Sequence, residues 1–173
     1  AQSGWPDFAM YHPIFVAAGD AVHLGAAAPR DALRAAMEGG LGAAIGQDQA
    51  TAWGLGPLSP ADQAAREAEQ AEAHCQALPA ELLPGMVQAQ RLRDWSLASR
   101  AVAAVEAGQG PVVVITGSGH ARKDQGVPAL IASARPGLNV WSLGQVEVPE
   151  GSTPDPGLPY DAAETERLGA GTM

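Results

Sequence analysis

The stretch Pro111-Val-Val-Val-Ile-Thr116-Gly-Ser-Gly-His120-Ala-Arg-Lys-Asp124 decides how this chain reads. Its first half is a continuous β-branched run rather than an alternating one, the pattern of a strand covered on both faces. Its second half is a Gly-rich polar loop, after which Val127-Pro-Ala-Leu-Ile-Ala-Ser-Ala134 reads as a helix ended by Pro136-Gly137. Working outward, Ala21-Val-His-Leu-Gly-Ala26 and Asn139-Val-Trp-Ser-Leu143 read as two further buried strands. Pro29-Arg-Asp31 follows the first of them and opens a helix over 32–38, closed by Gly39-Gly40. Strands alternating with helices predict an α/β domain, three layers (α/β/α) built on a mostly parallel sheet.

A helical insertion is expected between the first and second strands. Ser59-Pro60-Ala-Asp62 has the form of a capping box with Pro at the first helical position, and the helix it starts should reach about Leu78. After Pro79 and Pro84-Gly85 a long helix runs from about Met86 to Glu106, stopped by Gly108 and Gly110-Pro111. Residues 39–58 are Gly/Ala-rich and weakly patterned, with room for one short helix. The domain is expected to span 1–148, and 149–173 reads as an irregular Pro/Gly-rich acidic tail.

The chain has 173 residues, a formal charge of −9 and 46% hydrophobic residues, so disorder throughout is excluded. Nine of its ten basic residues are Arg, Lys123 being the one Lys. With no basic cluster to neutralise phosphates, nucleic acid is not an expected partner. No apolar run approaches the roughly 20 residues of a transmembrane helix. The lone Cys75 excludes a disulfide framework or a Cys-based metal site within one chain. Ala1-Gln-Ser-Gly-Trp-Pro6 carries neither an initiator Met nor a signal-like segment, and the domain is expected to be incomplete at its N-terminus.

Ligands of an open parallel sheet gather at the carboxyl ends of its strands, and the loop Thr116–Asp124 is the richest such end. His120 offers an imidazole for proton transfer or metal coordination, and Asp124 could orient it. The loop lacks the third glycine of a dinucleotide fingerprint and the Gly-Lys-Ser/Thr of a P-loop, so it reads equally as a polar connecting turn. Gln90 and Asp94, four apart, share one face of the long helix, beside Arg93. A solvated polar edge would look the same. His74 sits beside Cys75 near the end of an acidic helix, and His23 inside a predicted strand reads as a core residue. Tyr11-His12-Pro13 follows Trp5 and Phe8, a start that fits either a pocket wall or core.

Ser3-Gly-Trp-Pro-Asp-Phe-Ala-Met-Tyr-His-Pro-Ile-Phe15, Pro29-Arg-Asp31, His74-Cys75 before Leu78-Pro79, Met86-Val-Gln-Ala-Gln-Arg-Leu-Arg-Asp94 and Gly117-Ser-Gly-His-Ala-Arg-Lys-Asp-Gln-Gly-Val-Pro128 resemble the ChaN-like haem-uptake family. That family belongs to the Tiki/TraB/erythromycin-esterase-like superfamily. The resemblance covers residues 3–148 and implies the three-layer fold, haem as cofactor and a place in bacterial haem and iron uptake. It also implies a cell-envelope or periplasmic location, lipid-anchored in the intact protein, and pairing of two copies. Haem would be held by His120 and Tyr11, with His12 behind them, and Arg30 or Arg122 would take its propionates or another small anionic ligand. Gln90, Asp94, Asp124 and His74 would form the supporting polar network.

The superfamily also contains metal-dependent hydrolases that pair a Gly-x-x-His-like element with an upstream Gly-Glu-x-His-like one. Gly117-Ser-Gly-His120 matches the former, which would make His120 a ligand for a divalent metal. The latter has no counterpart in this sequence, so no catalysis is expected from these residues alone. A non-catalytic binding or assembly module is a further alternative.

Overall fold

The computed structural model describes residues 7–144. Within them the helices are α1 (His12–Ala18), α2 (Arg30–Gly39), α3 (Leu41–Ile45), α4 (Gln47–Ala52), α5 (Pro60–Ala73), α6 (Leu83–Glu106), α7 (Ser118–Ala121) and α8 (Val127–Ala134). Trp5 and the acidic tail expected over 149–173 lie outside the described residues.

α6 is the hub. It packs against α2, α5 and α8, and more lightly against α3. Because it is covered on several sides, its buried residues (Val87, Ala89, Leu92, Ala98, Ala101, Val102) do not keep to one stripe, unlike those of a surface helix. The repeated alanines let neighbouring helices approach its axis. Trp53 and Leu55, on the turn after α4, and Val127 and Ile131 of α8 complete the same apolar cluster.

Helix ends follow the local chemistry. Ser59 caps α5, its Oγ accepting from Asp62 N–H at 3.1 Å and donating to the Asp62 carboxylate at 2.7 Å. α2 ends where Gly40 adopts φ +77°, a conformation open to glycine, and its N–H donates to Ala36 O at 2.8 Å. α5 stops at Ala73, short of Leu78. Cys75 and Gln76 take φ of +53° and +58°, and the Gln76 N–H folds back to Ala71 O at 2.7 Å, closing the helix.

The expected α/β/α fold is corrected. Among the described residues there is no strand and no sheet, and the architecture is helical. The runs 111–116 and 139–143 lie against the helices, 21–26 is exposed as far as Gly25, and no backbone ladder joins the three. Two of them keep a strand-like alternation. Val112, Val140 and Ser142 turn inward, Val112 and Val140 onto the core, whereas Val113 is 81% exposed and Ile115 61%. Trp141 and Leu143 point outward as well.

β-branched composition sets a backbone preference, but a strand exists only once a neighbouring backbone takes its hydrogen bonds. The continuous apolar run signalled cover on both faces, and the helices cover one. The helices expected as an insertion are thereby the body of the fold. His23, expected in a core strand, is exposed in the segment after α1.

Candidate functional site

Two features assemble the site at the middle of α6. Gln90 and Asp94 lie one turn apart on the same face, and the loop after Thr116 delivers His120 onto them. That loop tightens into the single turn α7, with His120 N–H donating to Gly117 O at 3.0 Å. It then doubles back to start α8 at Gly126. A Cβ there would collide with the carbonyl oxygens of His120 and Arg122, so this close return requires glycine.

His120 Nδ1 lies 2.7 Å from Asp94 Oδ1 and 3.1 Å from the Gln90 side-chain amide. Nδ1 carries one proton at most, so it cannot donate to Asp94 and also accept from the Gln90 NH2. With the Gln90 amide turned over, its oxygen becomes a second acceptor beside Asp94, and the arrangement is consistent. Nδ1–H then donates to the carboxylate, and Nε2 is left as the basic ring atom. Nε2 makes no hydrogen bond among the described residues. Asp94 is 2% exposed. Burial pushes its carboxyl above the ordinary range, and the His120 hydrogen bond, with the charges of Arg66 and Arg93, pulls the other way.

A cavity of about 410 Å³ opens beside this pair, walled by α5, α6 and the loop. Most of the residues lining it are of polar or charged type, among them Arg66, Glu69, His74, Gln90, Asp94 and Arg122. Arg122 is committed within the protein: it donates to Asp124 Oδ1 at 2.9 Å and to Glu69 Oε1 at 3.0 Å. Those bonds raise the guanidinium pKa, the Asp124 hydrogen bond contributing most, and hold the Asp124 carboxyl below its usual value. Asp124 therefore serves Arg122 and not His120. His74 lines the cavity, but its Nδ1 meets Gln70 O of its own helix at 2.8 Å.

Of the residues singled out in the sequence, the structure brings together His120, Asp94 and Gln90. Tyr11 and His12 lie elsewhere, on the segment Phe8–Ala18, which packs mainly on itself. Arg30 is exposed at the start of α2. The sequence reading missed Arg66, Glu69 and Arg91. Arg91 stands three residues before Asp94, a spacing that places the two within reach of one another; Arg66 carries no such local signal.

A second cluster of rings lies at the N-terminal end. Phe8 and Phe15 have ring centroids 5.2 Å apart, His12 meets Phe8 edge-on at 6.5 Å, and His23 lies 4.9 Å from Phe15. All four side chains are exposed.

The model of the family described as "Haem-binding uptake, Tiki superfamily, ChaN" matches residues 1–131 of this chain. The chain belongs to that family. No curated protein and no solved structure matches it. The match takes in both the exposed ring cluster and the His120–Asp94 pair of this ChaN-family chain. Among the described residues no group of three or more His, Cys, Asp and Glu side chains is gathered to hold a metal ion. No described helix is long and apolar enough to cross a membrane.

Proposed function

We propose that this chain binds haem on the exposed ring cluster of Phe8, His12, Phe15 and His23, within a bacterial uptake system at the cell envelope. The observation that carries the reading is two phenyl rings flanked by two imidazoles on the surface of a haem-binding-family chain. The donor set fits. A porphyrin face needs an apolar platform, and its iron takes imidazole or phenolate ligands, here from His12, His23 or Tyr11. Bound haem would supply an iron centre for carriage, and the role of these residues is to hold it. The lining of the cavity at His120 includes Glu69, Asp94 and Arg122, charges that a porphyrin face would have to desolvate.

Haem titration of the purified chain tests this. His12→Ala and His23→Ala combined should weaken binding by tenfold or more and shift the Soret band. Tyr11→Phe reports whether a phenolate takes part, and His120→Ala should leave the affinity within twofold. If His120→Ala abolishes binding while the ring-cluster variant does not, haem belongs in the cavity and the assignment is wrong.

His120 supports a second reading, acid–base chemistry in the cavity, through the 2.7 Å contact of its Nδ1 with the buried Asp94. A buried carboxylate that orients an imidazole makes Nε2 a competent base. A substrate screen should then find turnover that His120→Gln removes without changing haem affinity.

A further inference from the structure

Neither Arg66 nor Arg91 makes an ion pair among the described residues. Arg91 is 5% exposed, and its bonds are to neutral oxygens: Nη1 donates to Gln88 Oε1 at 3.2 Å and Nη2 to Gly56 O at 2.7 Å. Arg66, on α5, makes no hydrogen bond or ion pair among the described residues, in contrast to Arg122, which lines the same cavity beside His120. Both arginines line one small cavity of about 100 Å³, together with Leu55, Asp94, Gln125 and Leu130. Arg66, Asp94 and Gln125 also wall the larger cavity, so the small one adjoins the His120 site.

A guanidinium removed from water ordinarily sits against a carboxylate, because desolvating the charge is costly. Here burial and the charge of Arg66 lower the Arg91 pKa to about 10, with the Asp94 charge acting in the opposite direction. Asp94 is already engaged by His120. With Asp94 ionised and His120 neutral, the walls of the small cavity still carry a net charge of +1, on a chain whose total is −9. Leu55 and Leu130 give the cavity an apolar side, beside which a charge pair is stronger than in open water.

We infer that the small cavity between Arg66 and Arg91 is a binding site for one oxyanion group, a phosphate or a carboxylate, held by the two guanidinium groups. Forked N–H donors match the paired oxygens of either group, and the cavity admits one such group and little more. The site is independent of the haem reading, since it shares no residue with the ring cluster.

The test uses the full chain and two probes, inorganic phosphate and acetate, against chloride at matched ionic strength. A saturable rise in Tm of about 3–5 °C is expected once the probe reaches roughly ten times its dissociation constant. Calorimetric titration should give one site per chain. A response to phosphate or to acetate alone identifies which oxyanion the site takes. Arg66→Gln should remove the rise and weaken binding by tenfold or more, whereas Arg100→Gln, on the exposed side of α6, should retain both. Equal Tm values in phosphate, acetate and chloride would overturn the proposal, as would an undiminished response in Arg66→Gln. Because the first of these outcomes needs only the unmutated chain, poor folding of a variant does not protect the idea.

Discussion

The helix α6 and the run Val112–Thr116 are both apolar, both lie on the same core, and only one of them is closed. In α6 each interior N–H finds a carbonyl four residues back, so the helix needs nothing further except side chains to pack against. Leu92 at its centre is 1% exposed. The run 112–116 has no such internal partner. Its inward side, Val112, joins the core, and Val113 and Ile115 on its outward side are bare. The difference teaches that apolar content alone does not make a core, since the backbone must be satisfied by the same arrangement that buries the side chains.

The largest expected effect separates those two regions directly. Leu92→Ala should cost about 2–5 kcal/mol, because the lost contacts leave a cavity that rigid neighbours on several sides cannot fill. Ile115→Ala should change stability by no more than about 0.5 kcal/mol, as at other exposed positions. Urea unfolding of both variants measures the contrast. Comparable losses would mean that the outward face of the run is covered in solution.

A smaller effect is expected at the one carboxylate buried in α6. Asp94→Ala takes the carboxylate acceptor from His120 Nδ1–H, leaving only the longer Gln90 contact, and removes a charge beside Arg91, at a cost of about 1–3 kcal/mol. Asp94→Asn keeps an acceptor oxygen and should cost less. Its pH dependence has a definite sign. The folded pKa of Asp94 is raised above 3.8, so its contribution to stability is fully present below that value and lost as pH rises through the folded pKa. Relative to the unmutated protein, Asp94→Asn should therefore gain stability between pH 4 and pH 7. Asp124 behaves oppositely: its pKa is lowered, and its contribution is lost as pH falls through the folded value. Urea midpoints across that range would show the Asp94 gain, and a flat difference would place its carboxyl in an ordinary environment.

The smallest effect sharpens the same contrast at the surface. Arg122→Gln removes contacts to Glu69 and Asp124, whose side chains are 41% and 63% exposed. Solvent screens these pairs, so the loss should stay below about 1 kcal/mol and shrink further in high salt. Thermal melts at low and high ionic strength suffice to check it.

How much of this was legible beforehand varied by region. The caps at Ser59 and Gly40, the span of α8 and the stop of α6 near Gly108 were all readable, because each depends on a few neighbouring residues. The pairing of Gln90 with Asp94 was visible from their spacing. Which of Asp124, Gln90 and Asp94 orients His120 stayed open in the sequence, since the Asp94 contact joins residues 26 apart. The sheet was misread for a related reason. The run 111–116 has the composition of a doubly covered strand, and cover on the second face is a matter of what else is near.

By itself the sequence determined the spans of α2 and α8, the start of α5 and the stop of α6, the family, and the residue types available for chemistry, all of which rest on local patterns and motifs. Only the tertiary structure decided which side of the apolar runs is closed, which partner His120 takes, and which arginines remain uncommitted. Those outcomes depend on contacts between distant parts of the chain, where geometry and desolvation, not residue type, choose the pairing.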